Sequence, residues 1–296
     1  MRSGYNGLHE SRRKRLPGED ALIQDIGAHS YSNVFLTAPA EPGDHMLAYR
    51  GREVLLWERE GTCKLPSVGE LGVAVGDLTF LFSIDGEGYY LAPDGLAEAG
   101  GYVFHPLQEC RYLAPRYLAF AAVTGSQLHD WYANNRFCGR CGHATELAPK
   151  SREIACPNCA NVVYPKIMPA VICGVTWGSK ILLTKYAGRA YTRYALVAGF
   201  NEVGETLEQT CAREVMEEVG LHIKNLRYYA DQPWSFTSSL LVGYFCELDG
   251  DPTIHVDHKE LKLGVWMERE DIPRELPDTS SLTNQMIMHF RNDWEG

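Results

Sequence analysis

Residues 199–221 read GFNEVGETLEQTCAREVMEEVGL, and the reading of this stretch decides the fold of the C-terminal half. Thr206-Leu-Glu-Gln209 has the S/T-x-x-E/Q form of a capping box, which starts a helix. Gly220 supplies a stop, because glycine tolerates the left-handed conformation that closes many helices. At about 100° per residue, Arg213, Glu214, Glu217 and Glu218 share one flank, and Cys211, Ala212, Val215, Met216 and Val219 take the other. One flank can pack on a core while the opposite one gathers three carboxylates and an arginine. Carboxylates one turn apart repel and cost helix stability. A divalent cation relieves that cost, and an all-oxygen donor set suits Mg²⁺ or Mn²⁺ rather than zinc. Taken alone, the same pattern also fits an ordinary surface helix with a solvated acidic face.

The outer spacing is more specific. Gly199, five residues, Glu205, seven residues and then Arg213-Glu214-Val215-x-Glu217-Glu218-x-Gly220-Leu221 resembles the Nudix box at every defined position. That resemblance implies hydrolysis of a nucleoside diphosphate linked to another group, on a mixed α/β fold of the α+β kind, a mixed sheet sandwiched by helices. A second stretch, Asp231-Gln-Pro-Trp-Ser-Phe-Thr-Ser-Ser239, is similar to the S-Q-P-W-P-F-P-x-S element of the NADH pyrophosphatase branch. Gln232, Pro233, Trp234, Phe236 and Ser239 keep the pattern, while Asp231, Ser235 and Thr237 depart from it. Two lost prolines should loosen a loop, since each fixes its backbone angle.

Upstream, Cys138-x2-Cys141 and Cys156-x2-Cys159 form two knuckles separated by fourteen residues. Four thiolates so paired match a closed, structural zinc site. Two disulfides or a redox dithiol are the alternatives, and neither suits a cytosolic chain without a thioredoxin-like context. With an odd total of nine cysteines, a complete disulfide framework is not expected, and the expected compartment is cytoplasmic.

The remaining features set bounds. At 296 residues the chain can bury two cores. A net charge of −10 argues against a broad electrostatic grip on nucleic acid, without excluding action on one end of an RNA. No apolar run reaches the roughly 18 residues of a membrane span. The basic run Arg12–Arg15 reads as an exposed tail. The organisation expected is a small, mostly β N-terminal domain over 1–130 with a closing helix from about Pro115 to Asn134, a zinc ribbon over 131–166 and a hydrolase domain over 167–296. Strands are expected at Asn33–Leu36, Val54–Trp57, Thr79–Phe82, Ala170–Val175, Lys180–Thr184, Tyr194–Ala198, Leu240–Leu248 and Leu263–Trp266. A hairpin turn at Asp85-Gly86 and a last helix from Ser281 to Arg291 complete the pattern.

Carried over by residue, the resemblance implies metal ligands at Glu214, Glu217 and Glu218, a metal-binding carbonyl at Ala198 and a further acidic ligand at Glu260. It implies substrate contacts at Tyr164 and along Gln232, Pro233, Trp234, Ser235, Phe236, Thr237, Ser238 and Ser239. Trp234, Phe236 and Tyr164 would form a stacking platform, although a Trp-x-Phe pair is also what a core contains. The implied reaction is NAD(H) + water → NMN(H) + AMP with Mg²⁺ or Mn²⁺, and removal of NAD caps from RNA. Glu218 would coordinate, Glu217 or Glu260 would take the proton, and Arg213 would orient a box glutamate. ADP-ribose or a diadenosine polyphosphate is the alternative substrate, and a zinc-ribbon regulator that only senses a nucleotide is the alternative class. The resemblance also implies a homodimer.

Overall fold

The computed structural model describes residues 22–188, 193–276, 278 and 280–294; the Arg12–Arg15 run lies outside them. The C-terminal half is a six-stranded mixed sheet. Its strands are β1 (Met168–Trp177), β2 (Lys180–Tyr186), β3 (Val197–Phe200), β4 (Ile223–Trp234), β5 (Ser239–Leu248) and β6 (Leu261–Glu268). They lie in the order β4-β5-β1-β2-β6, with β3 beside the first half of β1. β1 and β5 run parallel and the other pairs antiparallel.

Successive side chains of a strand face opposite ways, and β1 shows the result. Val171, Cys173 and Val175 enter one core with Cys211, Val215 and Val219 of α2 (Leu207–Val219). Ile172 enters the other with Leu282, Met286, Ile287 and Phe290 of α3 (Leu282–Asp293). Both helices thus flank one sheet, and the mixed α/β reading holds.

The N-terminal region carries two small sheets. Tyr31–Ser32, Thr79–Ile84, Glu87–Leu91 and His45–Leu47 form one; Tyr49–Arg50, Glu53–Arg59, Thr62–Lys64 and Val103–Pro106 form the other. The Asp85-Gly86 turn is present, with φ of 54° and 88°, as a type I′ hairpin requires. A long helix, α1 (Arg116–Asn134), packs beneath the sheets behind Pro115. Gly125 sits mid-helix because a Cβ there would lie 2.4 Å from the Tyr49 hydroxyl oxygen. Close approach, not flexibility, explains it.

Two expectations fail. Asn33–Leu36 is not a strand: only Tyr31–Ser32 pairs, and Val34 and Leu36 lie exposed. Asp231–Trp234, read as loop, is the end of β4, and Ser235–Thr237 form a 3₁₀ turn before β5. That turn is fixed by packing rather than proline. Phe236 is buried in the N-terminal core with Trp234 against it, and Arg52 donates to the Phe236 carbonyl at 2.7 Å. The N-terminal region therefore grips the turn.

Candidate active site

The helix α2 is held at both ends. Thr206 Oγ1 accepts from the Gln209 N–H, and the Gln209 side chain accepts from the Thr206 N–H at 2.8 Å. Gly220 ends it at φ 69°. A Cβ on Gly220 would also come within 2.9 Å of the His255 side chain, so a larger residue would meet both strain and a clash.

Arg213 organises the acidic flank. Its Nε and Nη2 form a fork on Glu205 at 2.7 and 3.0 Å, and Nη1 reaches Glu214 at 2.7 Å and Glu217 at 3.0 Å. Nη2 also donates to the Phe200 carbonyl at 2.9 Å. The bidentate partner is thus Glu205, and Arg213 orients Glu214 and Glu217 by single bonds. The fork depresses the Glu205 carboxyl to about 2. Glu214 goes the other way: burial raises it against the pull of Arg213, and the negative charges of Glu217 and Glu260 raise it further. The charge of Glu260, distant in sequence, is thus felt at Glu214.

Gly199 makes the position possible. A Cβ there would sit 1.9 Å from the Glu214 carboxyl carbon, so the carboxylate lies directly on the glycine. Ala198 precedes it on β3, paired with Ile172. Glu218 is 3% exposed and lies at the edge of the core, whereas Ala212 and Met216, expected on the packed flank, are exposed. The reason is angular: the buried trio Cys211, Val215 and Val219 centres nearer Glu218 than Met216 on the helical wheel.

The expected substrate residues divide. Tyr164 is 64% exposed. Pro233 and Thr237 are exposed, Ser238 is half-buried, and Ser235, Phe236 and Ser239 are buried. Trp234 lies half-buried with the Arg111 guanidinium 5.0 Å from its ring centre. A three-ring platform is therefore not what the fold builds; Phe236 belongs to the domain junction. Gln232, expected to face substrate, is fully buried: Nε2 donates to the Ser280 carbonyl at 2.9 Å and to Gln24 at 3.2 Å, and Oε1 accepts from the Leu282 N–H at 2.8 Å. Its amide fastens the start of α3. Phe200, directly after Gly199, is 49% exposed.

In the ribbon, the four cysteine sulfurs lie within 4.8 Å of one another. Cys138–Cys159 and Cys141–Cys156 approach to 3.6 and 3.5 Å, far beyond a disulfide bond and close to the roughly 3.8 Å edge of a zinc tetrathiolate. The Arg140 N–H points at the Cys138 sulfur and holds that thiol below its ordinary range. The Cys141 thiol falls to about 6, chiefly through the His143 N–H. Both thiols of the first knuckle are shifted toward the thiolate that zinc binds, while burial and the neighbouring thiols push Cys159 up to about 12. Cavities of about 250 and 140 Å³ lie between ribbon and N-terminal region, and no box residue lines either.

Comparison with known proteins agrees. Residues 166–289 match the NUDIX domain, and residues 133–164 match the NADH pyrophosphatase zinc ribbon domain. The NAD-capped RNA hydrolase NudC of Pectobacterium carotovorum is 41% identical over 168 residues, 56% of this chain and 63% of that one. The protein of the same name from an Enterobacter species is 39% identical over 166 residues, covering 56% and 64%. That of Chromobacterium violaceum is 35% identical over 240 residues, 79% of this chain and 88% of that one. The chain thus spans somewhat under two thirds of the first two relatives and most of the third. With box, ribbon and near full-length likeness in agreement, the chain belongs to the Nudix hydrolase family, in the branch that carries the NADH pyrophosphatase zinc ribbon.

Proposed function

We propose that this chain hydrolyses the pyrophosphate bond of NAD(H) to NMN(H) and AMP, and removes NAD caps from RNA by the same chemistry. The observation that carries the reading is Glu214, half-buried on Gly199 in the field of Glu217 and Glu260. Such a set of oxygens is short of positive charge, and its all-oxygen chemistry fits Mg²⁺ or Mn²⁺. Glu214, Glu217, Glu218 and Glu260, with the Ala198 carbonyl, would hold the ions. Once bound, these supply charge neutralisation at the phosphoryl oxygens and acidify water. Glu217, with 61% of its side chain exposed against 12% for Glu214, is best placed to accept the proton of the attacking water. Arg213 holds both carboxylates on one Nη1 and offsets their repulsion.

Tyr164 and Phe200 offer open ring faces for a base or nicotinamide, worth about 1–3 kcal/mol per stacked ring. Pro233, Thr237 and Ser238 line the approach, with Gln232, Ser235 and Ser239 supporting them from within. Relatives named for NAD-capped RNA support the substrate. The four ribbon cysteines, read as a zinc site, support a reducing, cytoplasmic setting, and no described helix is long and apolar enough to cross a membrane. A homodimer follows from the same family reading, and sedimentation would test it. Incubation with NADH and Mn²⁺, followed by chromatography, should yield NMNH and AMP. Intact NADH beside cleaved ADP-ribose would replace this reading with the alternative substrate.

A further inference from the structure

The loop before β6 connects two parts of the acidic site through one residue, Asp257. Its N–H donates to the Glu218 carbonyl at 2.9 Å, and the His255 N–H donates to the Val219 carbonyl at 2.9 Å. The last carbonyls of a helix have no partner within it, so these two bonds finish α2 from outside. Gly220 leaves the room for that crossing. On its other side the Asp257 carbonyl accepts from the N–H groups of Glu260 at 3.1 Å and Leu261 at 2.9 Å. Its Oδ1 accepts from the Lys259 N–H at 3.0 Å, closing a tight turn. The Glu260 carbonyl is anchored in turn by the Ala187 N–H at 2.8 Å.

We propose that Asp257 is a positioning residue: the turn that its side chain closes sets the distance of Glu260 from the box glutamates and so the affinity of the site for a divalent ion. The proposal rests on the reading of Glu260 as a ligand. Residues that orient ligands from behind typically cost 10–100-fold in metal affinity when removed. The turn, not the charge, is what matters here, because the Asp257 carboxylate is turned to a backbone N–H.

The test is a Mn²⁺ titration of metal-free protein, read by the electron paramagnetic resonance of the free ion. Glu260→Gln and Asp257→Ala should each weaken binding about tenfold. Asp257→Asn, whose amide oxygen can still accept from Lys259, should stay within about twofold of the unmodified chain. The double variant Asp257→Ala/Glu260→Gln should bind no worse than Glu260→Gln alone, since residues acting through one another are not additive. Unchanged binding in Asp257→Ala, an Asn variant as weak as the Ala variant, or additive losses in the double variant would each overturn the proposal. If Glu260→Gln itself binds normally, the ligand assignment fails and takes this inference with it, while binding by Glu218→Gln still reports on the box separately.

Discussion

The four sulfurs of the ribbon all lie within 4.8 Å of one another, whereas among the described residues no three carboxylates around α2 meet that spacing. Backbone N–H groups at the first knuckle lower the Cys138 and Cys141 thiols. The glutamates instead repel, and an arginine shared among Glu205, Glu214 and Glu217 holds them. A closed site of neutralised ligands suits an ion that stays. An open site under electrostatic tension suits ions that arrive with a phosphate-bearing substrate and share its charge. On the proposed reading, the contrast separates an ion that holds the fold from ions that come with substrate.

Four measurements sharpen or break that contrast. The largest effect is expected for Glu218→Gln, which should lower kcat on NADH roughly a thousandfold, about 4 kcal/mol of barrier, with an unchanged melting curve. Near-normal turnover would remove the glutamates from the chemistry. Gly199→Ala comes next. Its Cβ would displace the Glu214 carboxylate, and a loss of about a hundredfold in kcat is expected, with the zinc content still at one ion per chain by mass spectrometry.

Acidification should separate two of the three carboxylates that share Arg213. Glu214, raised by burial, takes up its proton at a higher pH than an ordinary glutamate near 4.3. Mn²⁺ affinity should therefore fall as pH drops through that raised value. Glu205, depressed to about 2 by the fork, stays ionised there. Its contribution to stability is complete above the ordinary range and is lost progressively from there as pH falls through about 2. Affinity that held steady down to pH 4.5 in a calorimetric titration would contradict the account of Glu214. The smallest effect on the glutamates is expected from the other cluster. Cys141→Ser should cost the zinc and lower the melting midpoint, yet leave Mn²⁺ affinity within about twofold, because sites with no shared partner act independently.

Local signals carried much of this architecture. The capping box, the Gly220 stop, the cysteine knuckles and the Asp85-Gly86 turn each depend on a few neighbouring residues, and each was readable. Strand β4 was not, because bulges between Lys224 and Arg227 and between Tyr228 and Ala230 break the alternation that marks a strand. Phe236 and Gln232 were misplaced for a different reason. Their partners, the N-terminal core and residues 280–282, lie far away along the chain, and no spacing rule reports a tertiary contact. Glu218 shows the limit on a single helix: its place on the acidic flank was legible, its burial was not.

Leu22 and Ile23 are neighbours in sequence but belong to different cores, the first beside Phe290 and the second beside Phe236. The opening of the described chain is therefore sewn into its far end. Trimming the protein to a lone hydrolase from Met168 onward would tear that seam, pulling a leucine plug from one half and baring the aromatic turn of the other, so the catalytic half is best studied with its escort attached.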